Sequence, residues 1–276
     1  MVASTPLFDA LSSVPNPVLG LDAYGVIYNE KGPFDGIYSV IHHCKQAHIP
    51  VVMMTNNATQ SVDTIYQKMA GFGLPMVRSH IISSGCGLHD IPELAATVAN
   101  RRVFVYGYSL SHDYVHQAGG QCVNDPHDAQ VMVLAAARYP DNHHMYRSVF
   151  LALKHRPRMP VICVNPDHYV RHSSGNLMPV MGFYANQLAH QLARHDVIWM
   201  GKPYPLFSRL VQRRFGTLGL PPASLVFCDD NPLNVQQVVG DLNCHGVVIT
   251  DTGVFKKYAS AWQPHPRIHQ QPFCKI

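Results

Sequence analysis

Short apolar runs rich in β-branched residues alternate along the chain with segments whose apolar positions recur at three- and four-residue spacing. The runs are PVLGLD (17–22), PVVMMT (50–55), RRVFVYG (101–107), AQVMVLAA (129–136), MPVICVN (159–165), DVIWMG (196–201), SLVFCDD (224–230) and HGVVIT (245–250). Their length and composition predict buried strands. Between them DTIYQKMAGFG, MYRSVFLALKH, NQLAHQLAR and PLFSRLVQRRFG predict helices, most of them closed by Gly or a basic residue. Such alternation predicts an α/β fold, with parallel sheet covered by helices on both faces. The tail, AWQPHPRIHQQPFCKI, is rich in Pro, His and Gln; it reads as irregular chain lying over the core.

Polar residues with chemical potential collect at the ends of four of these strands: Asp22, then Thr55-Asn56-Asn57, then Lys202 in GKPYP, then Asp229-Asp230. The stretch between about 85 and 195 has its own strands and helices but no comparable strand end. Two domains follow: a Rossmann-like parallel-sheet core from residues 1–84 and 196–276, interrupted by an inserted α/β cap at 85–195. The insertion leaves near SSGCG and returns near RHDVIWMGKP.

Composition narrows the function classes. A net charge of +4 in 276 residues, without a run of like charges, argues against a nucleic-acid surface. The seven cysteines are Cys44, Cys86, Cys122, Cys163, Cys228, Cys244 and Cys274. They are scattered and lack a C-x-x-C pair, which fits neither a disulfide framework nor structural zinc and points to a reducing compartment. No apolar run is long enough to span a membrane, and the first residues lack the basic and apolar regions of a secretory signal; a cytoplasmic protein is expected. The 18 histidines add positive charge as pH falls through about 6.5. IHHCKQAH invites a metal reading, but its spacing fits a helix with Ile41 and Cys44 turned inward and the histidines wet.

At the C-terminal edge of one parallel sheet the four strand ends would converge. A carboxylate can attack phosphorus and form an aspartyl-phosphate. A lysine neutralises phosphoryl oxygens, hydroxyl and amide groups cradle them, and a further carboxylate supports Mg²⁺, which favours one or two carboxylates with phosphate and water.

In order and in strand-end context, LDAYGVIY, MMTNNATQS, MGKPYP and LVFCDDNPLN resemble the four signatures of the haloacid dehalogenase superfamily, and specifically its class IIA branch of 4-nitrophenyl phosphatase and phosphoglycolate phosphatase relatives. VNPDHYVRHSSGNLMP resembles a segment of that branch's cap. The resemblance covers roughly 17–255. It implies Asp22 as nucleophile and Mg²⁺ ligand, the Tyr24 backbone carbonyl as a second ligand, and Asp229 as a third. It implies Thr55 and the Asn56 amide as phosphate-binding groups and Lys202 as stabiliser of charge on nucleophile and phosphate. Asp230 and Asn234 would support the metal site from behind, and Asn165 and Asp167 would face the substrate from the cap. A small phosphorylated metabolite is the implied substrate, and a homodimer formed through the cap is the family-level expectation.

Two positions depart from the family pattern. Asn234 stands where another Asp is common. More consequentially, Tyr24 stands where the phosphatases carry the Asp that protonates the leaving group and activates water. General acid–base catalysis contributes about 10²–10⁴ in rate, or roughly 3–5 kcal/mol at about 1.36 per decade. With an ordinary pKa near about 10, Tyr is a poor base near neutrality. The expected outcomes are slow turnover, an acid/base supplied by substrate or cap, or a phospholigand-binding or interaction protein that does not turn over. A Tyr at this position also resembles the true haloacid dehalogenases, which need no metal; the retained Asp229 and Asp230 favour phosphate over halide.

Overall fold

Hydrogen-bonded pairing sorts the strands into two parallel sheets. The computed structural model describes residues 5–137, 141–261 and 263–272. All the predicted strands form, each shorter than its apolar run. The first sheet has six strands in the order Ile268–Gln271, His245–Ile249, Leu225–Asp229, Val18–Leu21, Val51–Thr55 and Ile81–Ser83, every pair parallel. The second has five, in the order Ile198–Trp199, Val161–Cys163, Val131–Leu134, Arg102–Tyr106 and Gln121–Val123, again all parallel. Two antiparallel hairpins stand apart from both sheets: Tyr28–Asn29 with Gly32–Pro33, and Tyr169–Arg171 with Leu177–Pro179.

The near-continuous apolar character of the central strands is explained by burial on both faces. On one face of the six-stranded sheet, Leu19, Leu21, Met53 and Val226 pack against Leu7 and Leu11 of the helix Pro6–Ser13. Ile37, Val40, Ile41 and Cys44 of Asp35–Gln46 complete that layer. On the same helix His42 is exposed, whereas His43 is half-buried with its ring 4.5 Å from that of Phe8; IHHCKQ is thus the end of an amphipathic surface helix, and Ala47 and His48 lie beyond it. On the other face, Val52, Met54, Leu225 and Phe227 meet Phe207 and Leu210 of Pro205–Leu218 and Val235 and Val238 of Pro232–Leu242. This apolar layer continues into the second sheet through Leu88, Val105 and Val133. One oily layer therefore couples the two sheets. The far face of the second sheet packs on Met145–His155 and Met181–Gln191 through residues such as Val149 and Ala185.

Helix ends follow the local chemistry. Ser61 Oγ accepts from the Thr64 N–H at 3.3 Å and starts Val62–Gly71. Pro205 opens its helix, and Gly219 closes it in the left-handed region with φ of 68°.

Three features differ from the sequence expectation. The tail is not wholly irregular: Ile268–Gln271 forms the parallel edge strand beside His245–Ile249. Only Ile268 and Gln271 of that strand are buried. An edge strand with two solvent-facing polar positions leaves no apolar run to read. Cys274 and the last residues of the tail lie outside the described residues. The DVIWMG run, grouped with the core strands, pairs instead with the second sheet, with Ile198 opposite Ile162, so the chain enters the Lys202 turn directly from that sheet. Ile81–Ser83 and Gln121–Val123, three residues each, were too short to register. The six described cysteines are all free, and among the described residues no helix is long and apolar enough to cross a membrane.

The edge strand is locked by a polar contact: Gln271, fully buried, accepts the Leu7 N–H on Oε1 at 2.8 Å. Gln271→Ala leaves that N–H without its acceptor and is expected to destabilise the fold by about 1–3 kcal/mol, measured as the urea midpoint; an unchanged midpoint would show that the strand adds nothing to stability.

Candidate active site

The register of the six-stranded sheet sets the site. Leu21 lies opposite Cys228 and Met53, so the next residues, Asp22, Asp229 and Met54–Thr55, emerge side by side at the C-terminal edge. The Asp22 N–H donates to the Cys228 carbonyl at 2.8 Å, which extends the pairing to the C-terminal edge itself. Lys202 enters between the carboxylates. Its Nζ donates to Asp22 Oδ1 at 2.6 Å, to Asp229 Oδ2 at 2.6 Å and to the Met54 carbonyl at 2.8 Å. The ammonium is 1% exposed, so all three of its protons are satisfied by protein. Removing one partner of so buried a pair costs several kcal/mol, because the remaining charge is left in a medium that solvates it poorly.

The Lys202 turn is held by Asn56, whose Oδ1 accepts the Lys202 N–H at 2.8 Å and whose Nδ2 donates to the Lys202 carbonyl at 2.7 Å. The same Nδ2 donates to Asp167 Oδ1 at 2.9 Å. Gly201 permits this packing: with φ of 147°, a Cβ there would fall 2.4 Å from Pro166 Cδ and 2.8 Å from Asn56 Oδ1. Thr55 is buried and its hydroxyl accepts from the Asn57 N–H at 3.1 Å; it does not cap the next helix, a task that falls to Ser61. Asn165 and Asp167 come from the segment after Val161–Cys163, and both line the same cavity as Asp22, Thr55 and Asp229, of about 370 Å³.

Asp229 has both oxygens engaged, Oδ1 by the Asn231 N–H at 2.7 Å and Oδ2 by Lys202 and by Asn234 Nδ2 at 3.1 Å. Asn234 thus lies directly behind Asp229. Asp230 sits among backbone: Oδ2 accepts the Val254 N–H at 2.5 Å. A Cβ at Gly253 would lie 1.8 Å from Asp230 Oδ2 and one at Gly25 2.8 Å from Asp230 Oδ1, so both positions require glycine. One oxygen from each of Asp22, Asp229 and Asp230 falls within a 4.8 Å group.

These carboxylates outnumber the cation between them. Burial, and then the charge of Asp229, raise the Asp22 carboxyl to about 7 against the opposing pull of Lys202. Asp230 is raised well above the ordinary range by burial, then by Asp229 and Asp22. Burial works against the Lys202 ammonium, yet the two carboxylates outweigh it and hold the proton more firmly than in water. Three buried acids share one ammonium, so Asp22 and Asp230 hold their protons more tightly than in water. An all-oxygen donor set with that excess fits a hard dication.

Tyr24 points elsewhere. Its phenol donates to Glu30 Oε2 at 2.5 Å and lies 3.3 Å from the Arg171 carbonyl. Glu30 Oε1 also accepts, at 2.5 Å, from the Ser173 N–H, and lies 3.5 Å from His172 Nε2. Burial opposes the charge on Glu30, but the Ser173 and Tyr24 hydrogen bonds together bring its carboxyl down to about 2. Burial and the Glu30 hydrogen bond push the Tyr24 phenol above its ordinary range. Tyr24 therefore links Glu30, in the turn of the first hairpin, to Arg171 of the second, and all three line the cavity.

Sequence reasoning did not find Glu30, Arg171 or Lys68. Lys68 Nζ lies 3.8 Å from the centre of the Tyr28 ring at the cavity wall; burial lowers its proton affinity. None of the three carries a local signal, because each gains its neighbours only through tertiary contact.

Residues 19–121 match the family model described as haloacid dehalogenase-like hydrolase. The fold is similar to that of a p-nitrophenyl phosphatase from Archaeoglobus fulgidus, at 18% identity and TM-score 0.76 over 94% of this chain and 97% of that one. It is similar to a 4-nitrophenylphosphatase from Thermotoga maritima, at 16% identity and TM-score 0.76 over 96% and 97%. NagD from E. coli K-12 shares it at 15% identity and TM-score 0.72 over 94% and 97%. No curated protein matches by sequence. The first core segment is thus similar to the haloacid dehalogenase-like family model, and the fold of nearly the whole chain is that of these solved structures.

Proposed function

We propose that the protein is a phosphate-ester hydrolase or phosphotransferase that works through an aspartyl-phosphate on Asp22 and takes Mg²⁺. The observation that carries this reading is the Lys202 ammonium fixed between Asp22 and Asp229, beside Thr55 and Asn56, at the edge of a parallel sheet. The names of the similar phosphatase structures support the same reaction class. The cavity suits a small phosphorylated metabolite.

In this reading Asp22, Asp229 and the Tyr24 backbone carbonyl would hold Mg²⁺, with Asp230 and Asn234 behind them. Bound there, the cation would neutralise charge on the phosphoryl group. Lys202 pulls Asp22 toward its ionised form and aims it, so that its free oxygen attacks phosphorus. Thr55 and the Asn56 N–H receive the phosphoryl oxygens, and the charge that develops on them meets groups already fixed in place. The second sheet, from about residue 85 through the strand Ile198–Trp199, serves as a cap. The segment that follows Val161–Cys163, through Asn165, Asp167 and Arg171, excludes bulk water from the reacting group. The competing reading is a phospholigand-binding protein without turnover, which the commitment of the Tyr24 phenol to Glu30 favours. Dehalogenation is disfavoured by Asp229 and Asp230, which halide displacement does not need.

With Mg²⁺ the protein is expected to hydrolyse 4-nitrophenyl phosphate, and Asp22→Asn to lower kcat by at least about 10³-fold, read as nitrophenolate release. Activity that survives the substitution would remove Asp22 as nucleophile, and phosphate binding without release would favour the binding protein.

The raised Asp22 carboxyl gives a second outcome. From the ordinary 3.8 up to about 7, the folded protein retains a proton that the unfolded chain has released. The stability of the metal-free protein therefore falls as pH rises through that window and levels off above it. Denaturation curves in chelator are expected to show this slope in the wild type and a flatter one in Asp22→Asn, while Mg²⁺ near neutral pH raises the wild-type midpoint and leaves that of Asp22→Asn nearly unmoved. An unchanged slope in the variant would place the proton on another group.

A further inference from the structure

Tyr24 stands where the resemblance implies an acid/base aspartate, and the cavity offers other carboxylates. Five carboxylates line this cavity: Asp22, Asp229, Asp230, Glu30 and Asp167. Asp22 is held on Lys202 as the proposed nucleophile. Asp229 has both oxygens committed, to Lys202 and Asn234 on one side and to the Asn231 N–H on the other. Asp230 faces the Val254 N–H and belongs to the acidic trio. Glu30 spends its two oxygens on Tyr24 and Ser173. Asp167 differs: only Oδ1 is engaged, by Asn56 Nδ2 at 2.9 Å, and among the described residues Oδ2 has no hydrogen-bond partner. Tyr24 offers no alternative, because its proton is given to Glu30.

We infer that Asp167, delivered by the second sheet, is the general acid and base of this enzyme in place of the residue that Tyr24 displaces. The inference rests on the aspartyl-phosphate reading above.

Asn56 makes the placement specific. Its backbone follows Thr55 at the phosphoryl site, and its side chain ties Asp167 to the Lys202 turn, so the carboxyl is fixed relative to the nucleophile and not merely near it. The electrostatic setting agrees. Burial raises the Asp167 carboxyl to about 6, with Asp229 acting in the same sense and with Lys202 and Asn56 opposing. Asp22, Cys163 and Tyr258 also lie within electrostatic reach of it. A carboxyl poised close to neutrality can give and take a proton in one cycle.

The steps balance. Asp22 forms a bond to phosphorus as the bond to the leaving oxygen breaks, and the Asp167 carboxyl passes its proton to that oxygen, releasing an alcohol or phenol. The Asp167 carboxylate then takes a proton from water as the water oxygen bonds to phosphorus. The bond between phosphorus and Asp22 breaks, inorganic phosphate leaves, and both carboxyls return to their starting states.

The test is Asp167→Asn, which keeps the acceptor for Asn56 and removes the titrating group, assayed as full-length protein with Mg²⁺. With 4-nitrophenyl phosphate, whose leaving group needs little help, the variant should release about one equivalent of nitrophenolate in a burst and then turn over about 10²–10⁴-fold more slowly than wild type. With glycerol 3-phosphate, whose leaving alkoxide needs the proton, the burst should be lost as well. A thermal midpoint near that of wild type shows that the fold is intact; Asp167→Glu, which keeps the carboxyl, should recover part of the steady rate. Steady turnover of Asp167→Asn within about threefold of wild type, or a loss equal for both substrates with no burst, overturns the assignment. A wild type that binds phosphate but turns over neither substrate overturns the hydrolase reading itself, and with it this inference.

Discussion

Everything in the site depends on one buried ammonium. Lys202 is sealed from water and donates to two carboxylates and a backbone carbonyl that belong to three adjacent strand ends. The geometry is possible because parallel strands in register bring Asp22 and Asp229 to neighbouring positions. It is tolerable because the ammonium's three protons all find acceptors, since a buried charge short of partners is costly. The arrangement also leaves the acids in excess. This excess keeps Asp22 and Asp230 proton-hungry.

The ammonium also ties the two halves of the molecule together. Lys202 follows the edge strand of the second sheet, yet its side chain completes the edge of the first. Asn56 repeats the connection in the other direction by gripping both the Lys202 turn and Asp167. An apolar layer that runs unbroken between the sheets backs these polar ties. The site is therefore assembled across two sheets, with Asp22, Asp229 and Asp230 on one and Lys202 and Asp167 arriving from the other.

How much of this was legible in the sequence follows from how local each signal is. Asp22, Thr55, Lys202 and Asp229 could be read because each ends or closely follows a strand whose apolar run is long enough to recognise, and parallel sheets gather such ends. The α/β class followed from the same alternation. The tail strand was invisible because an edge strand needs only alternate burial, here Ile268 and Gln271. The sheet to which Ile198–Trp199 belongs could not be read, since two half-buried residues suit either partner. Tyr24 showed only as a departure from a pattern. Where its phenol goes is decided by Arg171, 147 residues away in sequence, and by a glutamate whose neighbourhood carries no motif. Asp167 could be suspected from the cap segment, but its unpartnered oxygen and its tether to Asn56 are tertiary facts.

The central claim is that Asp22 accepts the phosphoryl group. Acid-quenched protein, incubated with Mg²⁺ and a reactive acyl or aryl phosphate and then mapped by peptide mass spectrometry, tests it most directly. The account predicts a labile phosphoryl adduct on the peptide that carries Asp22 and on no other carboxylate of the cavity. An adduct on Asp167, Asp229 or Asp230, or turnover without an adduct on Asp22 even when quenched early in the reaction, would contradict it.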